Sequence, residues 1–322
     1  MRIKLAISMG AAVLAAVFAD AKEVVLRVGH FPNITHAQAL VAHQMSRQGK
    51  GWFESRLGDG VKIEWSLFNA GPSAMISIFA GAVDITYVGP NPALNAFAKT
   101  RGKDIRILAG SADGGAALVV NPKLNIKVPA DFKGKTIGTP QLGNTQDVAC
   151  RAWLIDNGIP VTLTSGEARV LATSNPEQLP LFKQGSLDAV WTVEPWVTRL
   201  LNEAGGKIFL EQKDAVTTVL VTCNRVLEEN PEIVKKFVQA HRELTEWIKK
   251  NPEQAQKLVK DELEALTGGK ISEQLVKDAW PRIIFTSEMN KEGLQKFMDY
   301  AYVCGFIKNK MDISKIFLDL SK

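Results

Sequence analysis

Residues 81–91 read GAVDITYVGPN, and residues 185–196 read GSLDAVWTVEPW. Each runs Gly, any residue, an apolar residue, Asp, a short β-rich run, and then a stop at Pro. A helix that ends at Gly, an Asp that opens a buried strand, and a strand that stops at the edge of its sheet account for each corner. Finding the corner in both halves of the chain asks for a fold that builds the same piece twice.

The flanking segments supply that fold. Ahead of the first corner, VVLRVG (24–29) and VKIEWSLF (61–68) read as strands. Between them HAQALVAHQM carries Ala37, Leu40, Val41 and Met45 at helical spacing. GPSAMISIFAG reads as a helix that starts at Pro72 and stops at Gly81, and NPALNAFAK (helix) and IRILAGS (strand) follow the corner. The order then restarts with strands at AALVVNP (116–122), KTIGTP (135–140), EARVLAT and LDAVWTV. Helices DVACRAWLIDNG, PEQLPLFKQG and PWVTRLLNEAG lie among them. Strands alternating with helices imply parallel sheets with helices on their faces, so the chain is read as two α/β lobes. Ligands of open α/β sheets sit outside the carboxyl edge of the strands. Two equivalent corners facing each other are therefore the two jaws of one cleft. The last hundred or so residues read as mostly helical. The triplet Asn-Pro-Glu at 175, 230 and 251 reads as a helix start, with Asn as cap and Pro in the first turn.

Bulk properties bound the function. A length of 322 residues suggests two domains, and 46% apolar with 23% charged residues is ordinary for a globular protein. The net charge of +5 is spread among interleaved acids and bases with no basic stripe, which argues against nucleic acid as a partner. At the N-terminus, MRIK precedes the apolar run LAISMGAAVLAAVFA and a small-residue site, ADA, ending at Ala21. That is the pattern of a cleaved secretory signal over residues 1–21, too short for a spanning helix. Cys150, Cys223 and Cys304 match no zinc or redox spacing and read as small buried residues. Catalytic motifs such as G-x-S-x-G and the P-loop are absent. The four histidines, His30, His36, His43 and His241, show no H-E-x-x-H spacing. His36 and His43, seven apart, share a helix face, but two histidines alone make a poor metal site. No cofactor and no metal are expected.

FNAGPSAMISIFAGAVDITYVG, ADFKGKTIG and GSLDAVWTVEPW, in that order and spacing, resemble the periplasmic solute-binding proteins of the sulfonate, taurine and nitrate importers. The resemblance spans nearly all of the chain after the signal. It implies the type II periplasmic-binding-protein fold: two α/β lobes joined by two crossover strands, near Asn121 and Thr217. Lobe 1 is then 22–121 plus 217–322, and lobe 2 is 122–216. It also implies a monomer that is not an enzyme, resides in the periplasm, and passes a small polar or anionic solute to the membrane permease of an ABC importer. Taurine-type members carry hydroxyl residues where Pro90 and Asn91 stand, and a Thr-Thr-His-like run where this chain has GNTQ (143–146). The run Glu194 to Trp196 is closer to nitrate and bicarbonate binders.

The candidate ligand-binding residues are His36, Ser73, Pro90, Asn91, Asn144, Thr145, Gln146, Glu194 and Trp196. Thr35 and Gln38 are explained by a capping box. His36 then sits in the first turn, either as a partly exposed polar group or as a hydrogen-bond partner of the ligand. Gly71–Ser73 and Asn144–Gln146 open helices in opposite lobes, and two opposed helix starts can hold one oxyanion without a cationic side chain. Glu194 either faces the cleft, where it suits an ammonium, or turns away to pair with Arg199 or Arg151. Trp196 either walls the cleft or packs under the next helix. An alternative reading is a thiamine-pyrimidine-type binder or biosynthetic enzyme of the same fold. The cysteine-rich signature of the synthase is missing, and an export signal disfavours a cytoplasmic enzyme. The N-terminal pattern makes a direct prediction: the exported protein starts near Lys22. Mass spectrometry of the mature form checks it, and an intact N-terminus would refute cleavage.

Overall fold

The computed structural model describes residues 23–318 and residue 320; the expected signal segment lies outside them. The first sheet contains β1 (Val24–His30), β2 (Val61–Leu67), β3 (Ile85–Val88) and β4 (Ile105–Gly114). The second contains β5 (Ala116–Val120), β6 (Thr136–Thr139), β7 (Arg169–Ala172), β8 (Ala189–Val193) and β9 (Lys207–Gln212). The chain then returns through β10 (Val216–Cys223) and, later, β11 (Ile283–Phe285) to the first sheet. The strand orders are β11-β4-β10-β3-β1-β2 and β7-β6-β8-β5-β9. Helices α1 (Ala37–Arg47), α2 (Glu54–Leu57), α3 (Gly71–Phe79) and α4 (Pro90–Lys99) belong to the first half. Helices α5 (Thr145–Asp156), α6 (Asn175–Gln184) and α7 (Trp196–Ala204) accompany the second sheet. The chain closes with α8 (Asn224–Glu229), α9 (Pro231–Lys250), α10 (Pro252–Thr267), α11 (Glu273–Ala279) and α12 (Lys291–Val303).

The two corners are equivalent. β3 and β8 each lie between a parallel strand, β1 or β6, and an antiparallel one, β10 or β5. The aspartate has the same task in both. Asp84 Oδ2 accepts the Arg27 N–H of β1 at 2.9 Å, and Asp188 Oδ2 accepts the Thr136 N–H of β6 at 2.7 Å. Each carboxylate satisfies a backbone donor of the neighbouring strand and locks the register of the parallel pair. Burial raises the Asp84 carboxyl, but Arg27 and Arg225, in contact at 2.8 and 3.0 Å, hold it below its usual range.

The sheets are mixed rather than wholly parallel, because the strands that carry the chain between lobes run antiparallel to their neighbours. The first change of sheet falls between β4 and β5, ahead of Asn121, so β5 belongs to the second sheet. The second falls between β9 and β10, just ahead of Thr217. Gly114 and Gly115, at φ 72° and 70°, make the first passage. A Cβ on Gly114 would lie 2.6 Å from the carbonyl oxygens of Arg282 and Lys213. The C-terminal helices return to the first lobe but also reach the second, since α11 packs on α7 and α12 packs on both α4 and α5. The Asn-Pro-Glu helix starts hold, with a correction: among the described residues Asn230 and Asn251 make no side-chain cap, and at 175 the cap position belongs to Ser174, whose N–H donates to Glu177 Oε2 at 3.2 Å. No described helix is long and apolar enough to cross a membrane.

A buried polar contact braces the first lobe. His241 on α9 has Nε2 2.8 Å from the Gly110 carbonyl and Nδ1 3.0 Å from the Tyr87 hydroxyl. Nε2–H donates to the carbonyl, so Nδ1 accepts from the hydroxyl. Burial pushes the imidazole down to about 4. The folded value lies below the unfolded one of about 6.5, so the native state binds fewer protons in between. This share of stability is complete above about pH 6.5 and is lost as pH falls toward 4. The expected loss is on the order of 2–3 kcal/mol. Urea denaturation at about pH 7 and about pH 4.5, on either side of the unfolded imidazole value, should show a smaller acid loss in His241→Gln than in the unmodified protein. Equal losses would remove His241 from the account.

Candidate functional site

Helix starts from both lobes converge where the strands run out. The cavity between them is lined by Asn33, Thr35 and His36 ahead of α1, Asn69–Gly71 at α3, and Gly89 at α4. The second lobe contributes Pro140, Asn144, Thr145 and Gln146 at α5, Asn175 at α6, and Val193 at the end of β8. Phe31 and Thr217 complete the wall, and no Lys, Arg, Asp or Glu is among these residues. The first N–H groups of a helix have no acceptor within it, and the aligned peptide dipoles make that end positive. Several such ends around one small space favour an anion although no side chain there carries positive charge. The space open to the centre of a water-sized sphere is about 20 Å³, so the cavity between the lobes is small.

A buried charge pair stands behind the α5 start. Asp147 on α5 accepts from Thr139 Oγ1 at 3.0 Å and Gly143 N at 2.9 Å, and Arg151 pairs with it at 3.1 Å. This pair ties the loop that presents Asn144 to its own helix. Asn144 Oδ1 caps α5 through Asp147 N at 2.9 Å, while its Nδ2 donates to Gln146 at 3.0 Å.

His36, Asn144, Thr145 and Gln146 are brought together at the cavity; Ser73, Pro90, Asn91, Glu194 and Trp196 do not line it. His36 is buried against Phe31, with ring centroids 4.4 Å apart, and its Nδ1 has no hydrogen-bond partner among the described residues. Desolvation holds it well below its ordinary pKa, so it is a neutral ring. Ser73 Oγ lies 3.5 Å from Gln141 Oε1 across the cleft. Pro90 sits in the first turn of α4, and the Asn91 side chain turns away to the Phe297 carbonyl at 3.0 Å. Glu194 pairs neither with Arg199 nor with Arg151. Its carboxylate caps α7 through Thr198 N and Oγ1, at 3.0 and 2.9 Å, and reaches Arg282 at 3.4 Å. Burial pushes the Glu194 carboxyl up to about 7, against the lowering pull of Thr198 and Arg282. Trp196 donates from Nε1 to Asn33 Oδ1 across the cleft at 2.9 Å.

Other expectations are corrected. Thr35 and Gln38 form no capping box: Gln38 binds Ser111 and Thr245, tying α1 to β4 and α9. Asn33, Asn69, Asn175 and Thr217 line the cavity although they are not among the candidate ligand residues read from the sequence. Asn175 carried a signal, since it opens a helix, but a helix start does not reveal which side chain faces a cleft.

The rim is closed by bonds between lobes. Ile34 N donates to the Glu194 carbonyl at 3.0 Å, and Asn91 N lies 3.4 Å from Thr145 Oγ1. Gly89 makes the closest approach: a Cβ there would lie 2.3 Å from Thr145 Oγ1 of the other lobe. Gly89→Ala is expected to leave each lobe folded and to hinder closure. Overpacking of about 1–3 kcal/mol corresponds to a loss of roughly five- to 150-fold in affinity for a solute trapped in the cleft. Calorimetry beside thermal denaturation checks both parts; an unchanged affinity would mean that Thr145 moves aside freely.

The geometry has known counterparts. An NMT1-like family model matches residues 19–261. A candidate aliphatic sulfonates-binding protein of Bacillus subtilis (strain 168) is 25% identical over 274 residues, covering 83% of this chain and 80% of that protein. The taurine-binding periplasmic protein of Escherichia coli (strain K12) is 25% identical over 190 residues, 56% of each chain. Among solved structures, the alkanesulfonate-binding protein SsuA from Xanthomonas axonopodis pv. citri, bound to MOPS, superposes with a TM-score of 0.76. It is 18% identical, and the match covers 93% of this chain and 99% of that one. The nitrate-binding protein NrtA from Synechocystis PCC 6803 gives 0.71 at 15% identity, covering 92% and 87%. The two-sheet architecture is the periplasmic-binding-protein fold, and the chain belongs to the NMT1-like family.

Proposed function

We propose that this chain is an exported binding protein that delivers a small anion of the sulfonate class to the membrane permease of an ABC importer. The observation that carries the reading is the cavity between lobes, walled by helix starts and neutral donors and free of charged side chains among its lining residues. In this reading His36, Asn144, Thr145 and Gln146 are ligand donors, joined by Thr35, Asn69 and Asn175. Ser73, Pro90 and Asn91 shape the helix starts and the rim, while Glu194 and Trp196 hold the lobes together. The named relatives are binding proteins for sulfonates and taurine, which supports solute binding rather than catalysis. The N-terminal signal pattern supports export to the periplasm, and a monomer suffices because both jaws come from one chain.

A thermal-shift panel on the mature protein tests the solute. Ethanesulfonate, taurine, nitrate, bicarbonate and a thiamine pyrimidine are its members. A ligand at about 100 times its dissociation constant adds about 2.7 kcal/mol. Ethanesulfonate is expected to stabilise; stabilisation by the pyrimidine alone, or by none of the panel, would overturn the assignment. Glu194→Gln then reads how the carboxylate acts. Because it faces Thr198 and Arg282, the change is expected to alter ethanesulfonate and taurine affinity by similar factors. A loss confined to taurine would show that Glu194 meets the ammonium.

A further inference from the structure

Behind the cleft wall, three groups from distant parts of the chain meet under Trp65. His30 ends β1, His43 lies on α1, and Glu262 lies on α10. His30 Nε2 is 3.0 Å from His43 Nδ1, and the same His43 Nδ1 is 2.8 Å from Glu262 Oε1. One ligand atom from each of the three lies within 4.8 Å of the others. His30 and Glu262 are fully buried, and the Trp65 ring stacks on His43 at 4.9 Å.

The protons do not close this cluster. His30 Nδ1 lies 3.3 Å from the Phe31 carbonyl, which only accepts, so that contact places the proton on Nδ1 and leaves a lone pair on Nε2. Glu262 Oε1, a carboxylate oxygen, also accepts only. His43 Nδ1 faces both and can offer a single N–H. Whichever neighbour takes it, the other buried acceptor faces no donor. The geometry agrees, since Glu262 Oε1 makes no hydrogen bond among the described residues despite the short distance. A buried carboxylate oxygen without a donor is costly, whereas one cation can satisfy all three lone pairs at once.

We infer that His30, His43 and Glu262 form a binding site for a zinc-class divalent metal ion. Two imidazole nitrogens and one carboxylate oxygen suit a borderline metal rather than calcium or magnesium, which prefer all-oxygen shells. Ligand atoms around zinc at about 2.0–2.2 Å stand roughly 3.3 Å apart, so small side-chain shifts bring this set into place. Arg47 Nε holds the second carboxylate oxygen at 2.8 Å and aims Oε1 at the histidines. His43 is the partly exposed member and marks the entry side. The ion would join β1, α1 and α10 directly behind Phe31 and would stiffen the first jaw, whichever solute the cleft takes.

The test uses tag-free mature protein stripped with a chelator and then titrated with Zn²⁺ alone. One ion per chain is expected, with X-ray absorption showing imidazole ligands. His43→Gln and Glu262→Gln should each weaken binding by more than the roughly 10–100-fold that loss of an outer partner costs. Absence of Zn²⁺ binding would overturn the site, as would affinity unchanged in both variants. If a variant does not fold, the spectrum of the unmodified protein decides, and a zinc shell without imidazole overturns the assignment.

Discussion

Two aspartates fix where the strands end, and the cleft depends on where they end. Asp84 takes the Arg27 N–H and Asp188 takes the Thr136 N–H, so each corner strand is locked to its parallel neighbour in one register. A parallel pair has no tight turn to set its register, and a slip by one residue would turn every side chain to the opposite face. With the clamps in place, β1, β3, β6 and β8 run out at His30, Val88, Thr139 and Val193. The segments just beyond them carry the cavity wall.

That wall has no cationic side chain among its lining residues, and the charges of Asp147 and Arg151 behind it are paired. Peptide dipoles at the helix starts are fixed by the helices themselves, so the positive ends facing the cavity are set by the fold. The carboxylate that read as a candidate for the cleft, Glu194, serves the joint between lobes instead. It caps α7, faces Arg282, and its own carbonyl accepts the Ile34 N–H. Closure therefore rests on neutral and paired contacts around the rim, while the interior stays free for the solute.

The histidines show how differently distance along the chain and distance in space can read. Spacing along the chain paired His36 with His43. In the fold His36 belongs to the cavity, and His43 stands with His30 and Glu262. Nothing near Glu262 in the sequence marks it, because an acid on an amphipathic helix ordinarily faces solvent. Only the packing of α10 against α1 buries it beside two imidazoles.

Strands β9, β10 and β11 were not read from the amino-acid sequence, but the two-lobed α/β plan, the alternation of strands and helices up to α7, and the matching corners were legible there. They follow from local periodicity, from Pro and Gly at helix ends, and from apolar runs, all of which act within a few residues. The α5 start, where Asn144, Thr145 and Gln146 reach the cavity, was legible for the same reason. Long-range packing settled the rest: that Asn91, Glu194 and Trp196 serve packing and closure, that Asn33, Asn69 and Thr217 face the cavity, and that the first change of sheet comes at Gly114 and Gly115. The reason is rotational: a side chain at a strand end or in a first helical turn can point to either side. The partner that chooses, such as Arg282 for Glu194 or Phe297 for Asn91, arrives from a distant part of the chain.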